Sequence, residues 1–211
     1  MRALVFGSTG QVARELALTC PAGCEAIFLD RASADLSQPE QCRATLADGD
    51  WDVVINAAAY TAVDRAEEEE ELACLINGAA PAAMAQAAAA KDIPFLHIST
   101  DYVFDGSGST PWSVDAQTNP QGAYGRSKLI GEESVVQVGG AYAIVRTSWV
   151  FSAYGTNFVK TMLRLAKDHE RLTIVADQIG GPTAARDIAR ALWHMAAAFT
   201  NGHGRSGLYH L

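Results

Sequence analysis

Apolar residues along this chain fall in short runs that alternate with segments of helical spacing. Arg2–Phe6 is a run short and apolar enough for a buried strand, and Gln11–Leu18 carries Val12, Leu16 and Ala17 on one side, as a helix would. The alternation continues with a strand over Glu25–Leu29 and a helix over 37–46. Ser37-Gln38-Pro39-Glu40 opens that helix with the spacing of a capping box, and a third strand follows at 53–55. An acidic helix over 61–71 and an alanine-rich one over 79–91 lead to a fourth strand at 95–98. Residues 100–119 then read as a long loop, of the kind that is functional or mobile in a compact domain. A helix carrying Tyr124 and Lys128 runs to about Val138, Gly139-Gly140 stops it, and 142–145 is the fifth strand. Helices at 158–166 and 184–199, a strand at 172–175 and a last strand at 208–211 beyond a turn-rich stretch complete the pattern.

Strands alternating with helices in this way predict an α/β fold, a doubly wound parallel sheet of Rossmann type with ligands at the carboxyl ends of its strands.

The candidate chemistry lies at those ends. Gly7 and Gly10 follow the first strand and open the first helix, a turn whose backbone N–H groups and positive helix end suit a pyrophosphate. Asp30 stands at the tip of the second strand, about 20 residues beyond the glycines, where a carboxylate holds an adenosine ribose. Arg31 beside it suits a 2′-phosphate, so NADH and NADPH are both open. Asp35-Leu36 either flank an adenine or form a plain loop. Ala57, Ala58 and Ala59 after the third strand leave room for a ligand, or serve close backbone packing.

Tyr124 and Lys128 are four residues apart and share one helix face. A phenol titrates near ~10, and bringing it to neutrality takes about 4 kcal/mol, which one cation at ~4 Å in partly screened surroundings supplies. Lys128 is therefore expected to make Tyr124 a proton donor, with the hydroxyl of Ser99 or Thr100 holding the acceptor oxygen. His97 reads as a packed core histidine, and Asn77 as a helix cap or a polar group reaching the site. The run 67–71, all glutamate, reads as a solvated helix face.

Composition narrows the class. In 211 residues, 49% hydrophobic content against 19% charged is a globular chain with a real core. A net charge of -8 without a basic stripe argues against nucleic acid. The first apolar run is too short for a signal peptide and no later one approaches a membrane span, which points to the cytoplasm. Cys20, Cys24, Cys42 and Cys74 lack disulfide-framework or zinc spacing, and no metal is expected.

Gly7-x-x-Gly10 with Tyr124-x-x-x-Lys128 resembles the extended short-chain dehydrogenase/reductases. More narrowly, Phe6-Gly7-x-Thr9-Gly10-Gln11-Val12, Asn56-Ala57-Ala58-Ala59-x-Thr61-Ala62-Val63-Asp64 and Ser99-Thr100-Asp101-Tyr102-Val103-Phe104 resemble the dTDP-4-dehydrorhamnose reductase family. So do Arg146-Thr147-Ser148-Trp149-Val150, Asn157-Phe158-x-Lys160-Thr161-Met162 and Asp177-Gln178-x-Gly180-x-Pro182-Thr183. The resemblance implies reduction of a dTDP-linked 4-keto-6-deoxy sugar to dTDP-L-rhamnose, a cell-wall polysaccharide precursor; the oligomeric state stays open, a homodimer being one option. Tyr124 would protonate the C4 oxygen, Thr100 would bond it, and Lys128 would lower the Tyr124 pKa and hold the nicotinamide ribose. Gly7, Gly10, Gln11, Val12, Asp30, Ala57, Ala58 and Ala59 would line the cofactor, and Val63, Tyr102, Trp149 and Asn157 the sugar nucleotide.

Two departures stand out. Ala13 occupies the place of a usual third glycine, and the family normally continues past Leu211 into a region that completes the substrate pocket. The expected organisation is a dinucleotide-binding domain over 1–211 that holds part of the substrate cleft at 148–183 and lacks most of the C-terminal substrate region, as a fragment or a shortened relative. A non-catalytic regulator of methionine adenosyltransferase type is the alternative function, followed by a nucleotide-sugar epimerase or dehydratase.

Overall fold

The structure, a computed structural model, describes all 211 residues. In chain order, β1 (Arg2–Phe6), α1 (Gln11–Leu18), β2 (Glu25–Leu29), α2 (Pro39–Ala47) and β3 (Val53–Asn56) form the first half. The helical stretch that follows runs from α3 (Glu70–Cys74) through a wider turn at Leu75–Ala79 into α4 (Ala80–Ala90). Next come β4 (Phe95–Thr100), α5 (Ala123–Val138), β5 (Tyr142–Thr147), β6 (Val150–Phe151) and α6 (Phe158–Asp168). The chain closes with β7 (Thr183–Ala184), α7 (Ala185–Thr200) and β8 (Gly207–His210).

Six strands pair in the order β2-β1-β3-β4-β5-β8, all parallel, and β6 pairs with β7 in a separate two-stranded ribbon. Alternation within each strand sorts side chains between two layers. Leu4, Phe6, Val54, Phe95 and Ile144 meet α2, α4 and α5 on one face. Ala3, Val5, Val53, Ile55, Leu96 and Val145 meet α1 and α7 on the other. Both faces are covered, which is why the strands read as continuous apolar runs. The order reverses direction between β1 and β3, and a ligand crevice opens outside the carboxyl ends at such a point.

Three expectations are corrected. Residues 172–175 form no strand: Ile174 and Val175 are 49% and 66% exposed, and the edge beside β5 is taken by β8. The capping box before α2 is not made, because the Ser37 hydroxyl donates to Asp35 Oδ1 at 2.8 Å and the N-cap Gln38 makes no side-chain bond. The helix Glu70–Ala90 is long and apolar enough to cross a membrane by length and composition, although the sequence shows no uninterrupted apolar run of that size. More than half of its apolar window, 56%, is buried inside the protein, as in a core helix.

The glutamate run is likewise more than a solvated face. Glu67 Oε1 accepts the backbone N–H of Ala123 at 2.8 Å, and Glu70 takes the Arg126 guanidinium through both oxygens at 2.7 and 3.1 Å. The N-cap of α5, Gly122, has no side chain to offer, so the cap comes from 56 residues away. A buried ion pair between Arg146 of β5 and Glu132 of α5, at 2.6 Å, fixes the same helix against the sheet.

Candidate active site

The end of β1 sets the first part of the site. Gly7 has φ +105°, and a Cβ there would lie 3.2 Å from the Ala57 backbone, so only glycine lets the two strand ends pass this closely. Gly10 is the N-cap of α1, makes no side-chain capping bond, and has open space where its Cβ would be. The first N–H groups of α1 are thus uncapped by any side chain and open to a pyrophosphate, so the residues present fit a dinucleotide.

Asp30 is exposed beyond β2, where its carboxylate accepts the Ser33 backbone N–H at 2.8 Å and the Ser33 hydroxyl at 2.7 Å. These bonds hold it below the usual carboxylate range. Arg31 is also exposed and pairs with Asp35 at 3.2 Å, while Leu36 is buried in the core. Ala57, Ala58 and Ala59 follow β3 half-buried at the switch point, and Val12 is buried under α1. Gln11 is turned toward the later part of the chain. Its Nε2 donates to the Val150 carbonyl at 3.2 Å, and its Oε1 accepts from Asn157 at 2.9 Å.

Thr100 ends β4. Its hydroxyl donates to Asp101 Oδ1 at 3.1 Å and accepts the Tyr102 N–H at 3.2 Å. Burial raises the Asp101 carboxyl above its ordinary range. Tyr124 sits in the first turn of α5 with its ring edge-on to Tyr102, centroids 5.5 Å apart. This fit depends on Gly125, where a Cβ would fall 2.2 Å from the Tyr102 carbonyl oxygen. Ser99 Oγ is buried near the end of the same strand without a hydrogen-bond partner.

The expectation that Lys128 acidifies Tyr124 is not met in this geometry. Lys128 is buried, donates to the Ile98 carbonyl at 2.7 Å and lies 3.3 Å from His97 Nε2; it makes no hydrogen bond to Tyr124. Burial pushes the Tyr124 phenol up to about 12, with the Thr100 hydroxyl acting the other way. Burial also lowers the Lys128 ammonium to about 8. The two groups share a helix face as the spacing requires, but the lysine is spent on the strand.

The other residues singled out by sequence lie around this center or toward the ribbon. Asn77 is buried and braces it, donating to the Ser127 hydroxyl at 2.9 Å and the Tyr60 carbonyl at 3.0 Å, and its Oδ1 accepts the Tyr60 N–H at 2.8 Å. Val63 is half-buried before a short turn at Asp64–Glu67. Trp149 is 41% exposed with φ +45° and lies against Gly180, where a Cβ would be 2.8 Å from its ring. Asn157 caps α6, accepting the Lys160 N–H at 3.0 Å and donating to Gln11 and the Ser152 carbonyl. The contacts joining Asn56, His97 and Lys128 were not legible in sequence; an Asn and a His inside apolar strands were the only signal. All four cysteines are unpaired, and no group of three or more His, Cys, Asp or Glu side chains is placed to hold a metal.

A parallel sheet of this order, with a glycine turn at its switch point and a Tyr-Lys helix beside the fourth strand, is a doubly wound, Rossmann-type architecture. Residues 1–211 match the family described as RmlD substrate binding domain. The dTDP-4-dehydrorhamnose reductase of Burkholderia thailandensis is 46% identical over 215 residues, covering 100% of this chain and 72% of the relative. A crystal structure of a dTDP-4-dehydrorhamnose reductase from Clostridium acetobutylicum superposes with TM-score 0.92 at 38% identity, covering 100% of this chain and 74% of that one. The Bacillus anthracis enzyme of the same name, in complex with NADP, gives TM-score 0.92 at 34% identity, with 100% and 73% covered. The chain belongs to the dTDP-4-dehydrorhamnose reductase family.

Proposed function

We propose that this chain reduces the C4 keto group of dTDP-4-dehydro-6-deoxy-L-mannose to dTDP-L-rhamnose, with NADH or NADPH as reductant and Thr100, Tyr124 and Lys128 as the working set. The observation that carries the reading is the seating of Tyr124, in the first turn of α5, against Tyr102, two residues beyond Thr100 at the carboxyl end of β4. The names of the relatives support the substrate, and the NADP complex of one of them supports the cofactor.

Bound, the reduced nicotinamide supplies the hydride. The chain's own residues do the rest. Gly7, Gly10 and the start of α1 hold the pyrophosphate, Asp30 or Arg31 meets the adenosine ribose, and Ala57, Ala58 and Ala59 leave the floor of the crevice clear. Thr100 Oγ1 holds the keto oxygen and Tyr124 Oη delivers the proton to it. A phenol held near 12 keeps that proton until the oxygen beside it gains negative charge, when transfer becomes downhill. Lys128, one helical turn along the same face, holds the nicotinamide ribose. Tyr102 and Trp149, both half-exposed, present aromatic faces for the sugar nucleotide, with Val63 and Asn157 at its edges. In this proposal residues 1–211 are the dinucleotide-binding domain and 148–183 its share of the substrate cleft. This proposal places the reaction in the cytoplasm.

The test is to mix the chain with NADPH or NADH and dTDP-4-dehydro-6-deoxy-L-mannose, follow cofactor absorbance and identify the product by NMR. Formation of dTDP-L-rhamnose supports the reading. Tight cofactor binding without turnover overturns it in favor of a regulatory role for the same fold.

A further inference from the structure

The side chain of Gln11 serves a different part of the molecule from its backbone. Gln11 is the first residue of α1, and its amide is bonded to the segment between β6 and α6, 139 to 146 residues further along the chain. Nε2 donates to the Val150 carbonyl at 3.2 Å, while Oε1 accepts from Asn157 Nδ2 at 2.9 Å and lies 3.1 Å from the Ser152 hydroxyl. Backbone groups at each end lock both amides in orientation. The Val150 and Ser152 carbonyls only accept, so a nitrogen must face each of them, and the Lys160 N–H only donates, so Asn157 Oδ1 must face it. Turning either amide round breaks at least two bonds.

This joint matters because α6 has no buried side chain to anchor it. Its start is placed instead through its N-cap, Asn157, and through Lys160, whose ammonium donates to the Ala153 and Gly155 carbonyls at 2.9 and 2.8 Å. A second link runs beside the first. The Arg14 guanidinium covers the Tyr154 ring at 5.6 Å, and its Nε donates to the Thr9 carbonyl of the glycine turn at 3.0 Å. Two residues of the first turn of α1 therefore hold the segment 150–157.

We propose that Gln11 is a positioning residue for the sugar nucleotide: its side chain fixes Asn157 and the start of α6, while its backbone N–H is among those open to the dinucleotide. The proposal deepens the function given above and rests on Asn157 standing at the edge of the sugar-nucleotide site. A diphosphate bound at the start of α1 orders the first turn, and with it the amide that holds Asn157. A sugar nucleotide bound against Asn157 orders the same joint from the other side. Each ligand then tightens the other by the same factor, as linkage requires. Because Gln11 acts through Asn157, its loss falls on binding of the sugar nucleotide more than on the chemical step.

Isothermal titration calorimetry with dTDP-L-rhamnose, on protein saturated with NADP+, tests this. Gln11→Ala keeps the backbone N–H, so it should weaken dTDP-L-rhamnose binding about tenfold and leave NADP+ binding within about twofold. It should also raise KM for the sugar nucleotide more than it lowers kcat. Asn157→Asp keeps the cap on Lys160 but has no hydrogen to give Gln11, and the double variant should bind no more weakly than Asn157→Asp alone. Equal loss of both ligands in Gln11→Ala, no loss at all, or additive losses in the double variant would overturn the proposal. If Gln11→Ala fails to fold, nitrogen-15 NMR of the wild type decides. Adding NADP+ alone should shift the Asn157 side-chain amide signals and slow their exchange with solvent, and signals that do not respond overturn the proposal. Wild type that binds NADP+ but not dTDP-L-rhamnose would instead remove the sugar-nucleotide reading itself, so the two failures are distinguishable.

Discussion

Lys128 Nζ donates to the carbonyl oxygen of Ile98 at 2.7 Å, which anchors the lysine in β4 rather than on the phenol it shares a helix face with. The bond ties α5 to the sheet at the level of Thr100, and it places a buried amine beside a buried imidazole. Both stability and activity should register it.

The stability effect has a definite sign. In the native state Lys128 titrates at about 8, below the ordinary 10.5, so between these values the unfolded chain binds a proton that the native one does not. Native stability should therefore rise by up to about 3 kcal/mol as pH is raised from 8 to 10.5. Lys128→Met removes this component. Urea unfolding of both proteins across that range should show wild type gaining up to about 3 kcal/mol on the variant between pH 8 and 10.5, and a constant difference would contradict it.

Glu67 is the remote cap of α5. Glu67→Ala should cost about 1 kcal/mol, as loss of an N-cap does, with Glu67→Gln losing less because its amide oxygen still accepts from Ala123. Chemical denaturation measures both, and an Ala variant as stable as wild type would return the glutamate run to a solvated face.

At Gly7 the backbone sits at φ +105° with Ala57 pressed against it. Gly7→Ala should lose ~1–2 kcal/mol of stability from the conformation alone, and it should weaken NADPH binding more than it weakens folding. Fluorescence titration beside thermal melting separates the two effects.

In the proposed function, cofactor choice turns on two neighbors, Asp30 and Arg31. Arg31 is exposed, and its pairing with Asp35 is a surface contact that a 2′-phosphate can replace. Arg31→Ala should lower kcat/KM for NADPH about tenfold or more and leave NADH nearly unchanged, whereas Asp30→Ala should do the reverse. Equal loss with both cofactors would remove these residues from the choice.

How much of this was legible in sequence depends on how local each feature is. The first five strands and their helices follow from apolar runs that are buried on both faces, so no partner need be known to read them. Residues 172–175 have the composition of a strand but join no sheet, and the place beside β5 is taken by β8 more than 30 residues later. Ser37 had the spacing of a cap, yet Asp35 competes for its hydroxyl from two residues away. The spacing of Tyr124 and Lys128 did place them on one helix face. It carried no information on burial, which raises the phenol and lowers the amine, nor on His97 and Ile98, which the sheet brings to the lysine. The work of Glu67 and Glu70 was hidden for the same reason, because their partners are 56 residues distant.

The central claim is that Tyr124 is the proton donor, and the most direct measurement compares wild type with Tyr124→Phe for turnover of dTDP-4-dehydro-6-deoxy-L-mannose, with NADPH affinity measured on both. Loss of one aromatic hydroxyl should lower kcat by roughly 10²–10⁴-fold, the range of a general acid, with the NADPH dissociation constant unchanged within about twofold. A Phe variant that turns over at the wild-type rate would contradict the account.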